Sequence, residues 1–108
     1  MNSIATTLIE LFDRIPRRHS LENVKEINSI TVDYEDVLIN IEAVNSFYEK
    51  NTTTFFDEID LVKTLVKKST DNKVSKKSKD DYFDEASGKL KDNIQALILF
   101  YDDGKRTS

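Results

Sequence analysis

The sequence predicts an all-α fold, a small antiparallel bundle of about four helices that includes one long heptad-patterned helix. The 108-residue chain has only two glycines and one proline, whereas a sheet protein of this size needs several tight turns. Its apolar residues recur at steps of three and four, which is helical spacing. Charged residues make up 33% of the chain, which suits helices that each bury one narrow stripe. We expect a single domain over residues 1–104 and a frayed tail at 105–108.

The first predicted helix covers residues 3–15. Its apolar positions lie at steps of four, three and four residues, namely Ile4, Leu8, Leu11 and Ile15. Pro16 ends the helix, because the residue before a proline is disfavoured in the α conformation. A short loop with two arginines follows, and it contains His19, the only histidine of the chain. We expect His19 to be a solvated loop residue.

The second predicted helix covers residues 20–50 and carries the strongest pattern in the chain. Its apolar positions alternate steps of three and four without a break, namely Ile27, Ile30, Tyr34, Val37, Ile41, Val44 and Tyr48. This is the a/d pattern of a heptad repeat. Ser20 is a suitable N-cap. One uninterrupted helix of about 30 residues would be ~45 Å long.

A β-hairpin is the alternative interpretation of this segment. Residues 30–34 and 39–41 alternate between apolar and polar side chains and are rich in β-branched residues, which favours strands. A hairpin would have to turn at Glu35 and Asp36, however, and that pair lacks the glycine that a two-residue turn normally uses. The unbroken heptad spacing therefore favours the helix.

The last two predicted helices cover residues 54–68 and 80–103. Thr54 begins a pattern that resembles a capping box, and Gly104 is well placed to follow the final helix as its C′ residue. Between these helices, residues 69–79 contain one apolar residue and are expected to form a mobile, lysine-rich linker. Residues 98–100 make the end of the last helix apolar nearly all round, which predicts that it is buried or contacts a partner.

The heptad stripe has two interpretations, a bundle core or an intermolecular coiled coil. Because the four predicted helices differ in length, part of the long one would extend beyond its neighbours and leave its apolar stripe uncovered. The leading hypothesis is therefore a non-enzymatic interaction module that binds another protein or a second copy of itself through this face. The predicted interaction residues are the seven heptad positions Ile27, Ile30, Tyr34, Val37, Ile41, Val44 and Tyr48.

A run of lysines supports a second hypothesis, an accessory protein that binds an anionic partner such as nucleic acid or an acidic surface. Seven lysines and one acid occur within residues 63–79. The predicted anion-binding residues are Lys67, Lys68, Lys73, Lys76, Lys77 and Lys79. No arginine or aromatic residue lies among them, which weakens the case for base recognition. The competing interpretation is a solvated linker whose charge offsets the acidic second helix.

The composition gives little support to an enzyme. The absence of cysteine excludes thiolate chemistry and disulfides, a single histidine argues against a His-based metal site, and two distant glycines exclude a phosphate-binding loop. The clustered carboxylates lie at helix starts or beside apolar stripes, where solvated roles are expected. We therefore predict no catalytic residue, metal, cofactor or small-molecule substrate. The lack of a signal-like start or a membrane span, together with the absence of cysteine, predicts a cytoplasmic protein.

Overall fold

The computed structural model describes the backbone of residues 3–107 and the side chains of residues 4–101. It confirms the all-α prediction, and the part it describes contains no strand, so the hairpin alternative is wrong. The helices are α1 (Ser3–Arg14), α2 (Leu21–Glu42), α3 (Ser46–Asn51), α4 (Thr53–Lys68) and α5 (Lys76–Thr107).

The four longer helices form an up-down-up-down bundle, in which consecutive members run antiparallel. Lys63 on α4 lies 3.1 Å from Glu35 on α2, and the Ser87 hydroxyl on α5 donates to the Pro16 carbonyl that follows α1, at 2.7 Å. With 32 residues, α5 is about 48 Å long. The longest dimension of the protein is 49 Å, so α5 spans the whole bundle.

Each of the four longer helices contributes fully or almost fully buried apolar side chains to one core. They are Leu8 and Leu11 on α1, Ile27, Ile30, Tyr34, Leu38 and Ile41 on α2, Ile59 and Val62 on α4, and Phe83, Ala86, Leu90, Ile94 and Leu97 on α5. Their spacing by three and four residues places each set on one face of its helix. Burial of these faces against one another is the main source of stability.

Two polar side chains cross this core and link three helices. The Tyr34 hydroxyl on α2 donates to the Asn93 carbonyl oxygen on α5, at 3.3 Å. The Asn93 side-chain amide in turn donates to the Phe55 carbonyl oxygen on α4, also at 3.3 Å. Because a buried polar group without a partner is costly, these bonds fix the relative positions of α2, α4 and α5.

The buried phenol of Tyr34 makes stability fall at high pH. Burial raises the pKa of Tyr34 well above its ordinary value, because the interior disfavours the charged phenolate. The stabilisation is complete below pH ~10, where the unfolded tyrosine is also neutral. It is lost as pH rises, by about 1.4 kcal/mol per pH unit, because only the unfolded state releases the proton. We expect Tyr34→Phe to remove the contribution of Tyr34 to this slope in urea-unfolding measurements above pH ~10, whereas the contribution of Tyr48, whose pKa burial also raises, remains. An unchanged slope in Tyr34→Phe would contradict the assignment.

The uninterrupted helix predicted over residues 20–50 is wrong, because the chain breaks at residues 43–45 between α2 and α3. The Ala43 and Val44 amides fold back to carbonyl oxygens of the last turn of α2, each at 3.1 Å. Asn45 then adopts an extended backbone, and its side chain accepts a hydrogen bond from the Tyr48 amide at 3.1 Å. Asn45 is thus the N-cap of a new helix. Tyr48 lies after the break and is also buried in the core. Its burial explains why the heptad spacing continues across residues 43–45.

The predicted ends of the later helices also need correction. The helix predicted from residue 54 begins at Thr53, after Thr52, whose side chain makes no capping hydrogen bond. The final helix begins at Lys76, four residues earlier than predicted, because the Ser75 hydroxyl accepts from the Ser78 amide at 3.2 Å. It continues through Gly104 to Thr107, so Gly104 does not end it. The linker is therefore residues 69–75, and Ser108 lies outside the described residues.

Candidate interaction surfaces

Most of the heptad side chains form part of the chain's own core, which favours the bundle-core interpretation of the stripe over the intermolecular one. Helix α2 packs against α1, α4 and α5, and these helices cover its apolar stripe. Val37 is half-buried, and Val44, in the break after α2, is 54% exposed. The other five positions are buried, namely Ile27, Ile30, Tyr34, Ile41 and Tyr48. The heptad pattern correctly indicated a buried face, and the chain itself supplies the covering helices.

An apolar surface remains open between α1 and α5, and we call it the apolar groove. It is a cavity of about 340 Å³. Its lining consists of Ile9, Phe12 and Asp13 from α1 and Gln95, Ile98 and Leu99 from α5. Leu99 is 62% exposed and Ile9 is 50% exposed. The apolar run at residues 98–100 indicated this end of α5, whereas the contribution of α1 depends on tertiary packing that the sequence pattern does not reveal.

An aromatic cluster closes the bundle end at which α3 meets α5. The Phe47 and Phe100 rings stack with centroids 5.8 Å apart, and the Phe55 ring lies 5.6 Å from Phe100. The Tyr48 hydroxyl donates to the Tyr101 carbonyl oxygen at 3.3 Å, and burial raises the pKa of Tyr48. These contacts attach α3 to α5, so we assign the cluster a structural role.

The predicted anion-binding lysines lie at the opposite end of the bundle. Lys67 and Lys68 occupy the last turn of α4, and Lys73 follows in the linker. The remaining three, Lys76, Lys77 and Lys79, are in the first turns of α5. Lys63, the first lysine of the run, instead pairs with Glu35 on α2. The α1–α2 loop reaches the same end of the bundle, and it adds two cations from outside the lysine run, Arg17 and Arg18.

Arg17 and Arg18 line a cleft of about 410 Å³ with Lys76, which we call the basic cleft. The remaining side chains that line it are His19, Asp80 and Asp84. His19 is not the solvated loop residue that we predicted. Its Nδ1 lies 3.0 Å from the Asp80 carboxylate, and its ring centroid is 5.4 Å from that of Phe83. Asp80 also lies 3.8 Å from the Lys76 ammonium group, so one carboxylate serves two neighbours.

In the described part of the chain, the two surfaces contain one pair of a histidine and a carboxylate, His19 and Asp80. Residues 4–101 contain no group of three histidine, cysteine or acidic side chains that could hold a metal ion. His19 and Asp80 form a pair, but within these residues no hydroxyl group is hydrogen-bonded to the imidazole, as a nucleophile would be in a hydrolase triad. None of the helices, over the residues described, has the length and apolar character needed to cross a bilayer.

Comparison of the chain with protein-family models, with curated proteins and with solved structures finds no match.

Proposed function

We propose that the protein is a non-enzymatic interaction module that binds an amphipathic helix of a partner protein in the apolar groove. The observation that carries this proposal is the exposure of Ile9 and Leu99 on either side of one groove. Both are large aliphatic side chains on regular helices, and an apolar patch of this kind is typical of protein-binding sites. The heptad face cannot serve this purpose, because most of it lies in the core.

The shape of the apolar groove supports a helical ligand. Two antiparallel helices form its walls, and the half-buried side chains of Phe12 and Ile98 line it together with the exposed Ile9 and Leu99. Grooves between helices bind amphipathic helices through anchors at positions i, i+3 or i+4, and i+7. The occupant would therefore present an apolar stripe, and burial of that stripe would supply most of the binding free energy.

Charge on the α1 side of the groove favours a basic flank on the partner helix. Asp13 lines the groove, and Glu10 is an exposed neighbour one turn earlier on the same helix. Neither carboxylate forms an ion pair within residues 4–101. A lysine or arginine beside the apolar stripe of the partner would face these groups, which would fix the orientation more than it would add affinity.

The test compares charged substitutions inside and outside the apolar groove. We expect Ile9→Asp and Leu99→Asp to weaken partner binding by at least about tenfold, because each places a charge where an apolar contact must form. Leu61→Asp is the matched control, since Leu61 is an exposed leucine on α4, 47% accessible, outside the groove. All three variants should retain wild-type helicity. The measurement is retention of cellular proteins on each immobilised variant, followed by titration calorimetry with the purified candidate.

The proposal predicts a protein that is retained by wild type and Leu61→Asp but lost from both groove variants. Retention of the same proteins by all four forms would refute it. If the titrated candidate is a second copy of the chain, light scattering will show a dimer that dissociates in the groove variants, and the groove is then a self-association site. If light scattering shows a monomer and no protein is lost selectively, the groove is not a docking site.

A further inference from the structure

Residues 16–20 of the α1–α2 loop are held to their neighbours by three contacts that do not involve the guanidinium groups of Arg17 and Arg18. The Ser87 hydroxyl on α5 donates to the Pro16 carbonyl at 2.7 Å. The Asn23 side-chain amide on α2 donates to the Arg18 carbonyl, also at 2.7 Å. His19 pairs with Asp80 at 3.0 Å. The backbone of Arg17 and Arg18 is therefore already ordered in the free protein. This order lowers the conformational entropy that is lost on binding a ligand.

The guanidinium groups of Arg17 and Arg18 have no carboxylate within ion-pair distance in residues 4–101. Arg14, one turn earlier, is a useful contrast, because it pairs with Glu26 at 2.7 Å and with Asp33 at 3.5 Å. In the basic cleft, Asp80 already interacts with His19 and Lys76. The cleft is lined by three cations, Arg17, Arg18 and Lys76, and by two carboxylates, Asp80 and Asp84, so its arginine and lysine side chains outnumber its acidic ones.

Several exposed lysines lie at the same end of the bundle as the basic cleft. Lys73, Lys76 and Lys77 are exposed in the linker and the first turn of α5, and Lys67 is exposed at the end of α4. A single small anion would occupy only the cleft. A surface with two arginines and several separate lysines suits a ligand with repeated negative charges, since each cation can then meet its own charge.

The chemistry of these cations fits phosphate groups. Arginine binds phosphate through two parallel hydrogen bonds, and lysine binds it as a point charge. The aromatic rings near the cleft are already in contact with protein side chains. His19 packs on Phe83, and Tyr82 lies 5.6 Å below the Lys68 ammonium group. Proteins that bind single strands normally offer aromatic rings to the bases, so these contacts favour a ligand that presents only its backbone.

We infer that the basic cleft and the exposed lysines at the same end of the bundle bind the phosphate backbone of double-stranded nucleic acid, independently of base sequence. Arg17 and Arg18 are the fixed contacts, and Lys67, Lys73, Lys76 and Lys77 neutralise neighbouring phosphates. This site lies at the bundle end where α1 finishes and α5 starts. The apolar groove involves a later part of α5. Substitutions in the apolar groove should therefore affect protein binding alone, and substitutions in the basic cleft should affect nucleic-acid binding alone.

Fluorescence anisotropy with a labelled mixed-sequence DNA duplex of about 20 base pairs, in about 50 mM salt, tests this inference. We expect wild type to bind and its affinity to fall steeply with added salt, because binding releases counterions. The double variant Arg17→Ala/Arg18→Ala should lose about tenfold in affinity and have a smaller salt slope, by roughly 0.9 for each phosphate contact removed.

Lys50→Glu is the matched control, because it changes the net charge by the same two units on an exposed residue of α3, at the other end of the bundle. Its affinity should stay within about twofold of wild type, since charges beyond the screening length contribute little. Circular dichroism checks that both variants keep the fold. An equal loss in the two variants would overturn the inference, because bulk charge would then explain the binding.

Other ligands provide the remaining outcomes. The absence of duplex binding at low salt would overturn the inference. So would tighter binding to single-stranded DNA of the same length, or binding to phosphatidylglycerol vesicles without binding to the duplex. Retention of duplex binding in the groove variants Ile9→Asp and Leu99→Asp would show that the two surfaces act independently, whereas its loss would overturn that part of the inference.

Discussion

Ile41→Asp is expected to unfold the bundle. Ile41 is fully buried near the end of α2, so the substitution removes an aliphatic side chain and places a carboxylate in an apolar environment. The expected loss is about 4 kcal/mol or more. This is comparable with the whole stability of a small domain, about 5–15 kcal/mol. Circular dichroism should show a much lower thermal midpoint, or no cooperative transition at all.

Val44→Asp is the control for this prediction. Val44 is three residues further along the same heptad stripe, but it is 54% exposed in the break between α2 and α3. We expect a change of less than about 0.5 kcal/mol, as for most surface substitutions. If both aspartate variants were equally stable, the assignment of the stripe to the core would be wrong. Equal and strong destabilisation would instead mean that the helix continues through residues 43–45.

Phe83→Ala has the next largest expected effect. Phe83 is one of the largest fully buried side chains, and its removal leaves a cavity between α5 and its neighbours. The expected cost is about 3–5 kcal/mol, from lost burial and the unfilled cavity. The ring also supports His19, at 5.4 Å. We therefore expect the α1–α2 loop to lose order in the same variant, which hydrogen exchange of the amides in residues 17–20 would detect.

Phe83→Leu separates the two effects of this substitution. Leucine keeps most of the buried volume, so the free energy of unfolding from urea titration should fall by much less than in Phe83→Ala. It removes the aromatic ring below His19, so part of the faster exchange in the loop should remain. Equal stability of Phe83→Ala and wild type would contradict the placement of this side chain in the core.

The helices could be predicted from the sequence because the apolar positions of each stripe all serve to fill the core. Leu8 and Leu11 on α1 are three residues apart, as are Ile59 and Val62 on α4, because all four side chains face the same core. The break after α2 was not predicted, because Ala43 and Val44 are compatible with a helix and Asn45 acts as a cap only when the chain turns there. The heptad pattern also passes over Leu38, which is fully buried beside it. The spacing of apolar residues shows which side of a helix is buried, but it does not show how many neighbouring positions are buried with it.

The two candidate surfaces were less predictable because each combines residues that are distant in the sequence. The apolar run at residues 98–100 indicated one wall of the apolar groove, but the choice of α1 as the opposite wall follows from the order of helices around the bundle. The lysine run was visible, whereas its meeting with Arg17 and Arg18 depends on the pairing of His19 with Asp80, 61 positions apart. Local spacing carries no information about such contacts.

The antiparallel packing of α1 against α5 also determines where the protein can be tethered. Pro16 lies beside Ser87, and Ile9 lies beside Gln95 and Leu99, so the start of α1 at Ser3 and the end of α5 at Thr107 point to the same pole. The basic cleft occupies the other pole, and α5 separates the two by most of the 49 Å length. A domain, label or solid support attached next to Ser3 or Thr107 would leave the cationic pole facing outward.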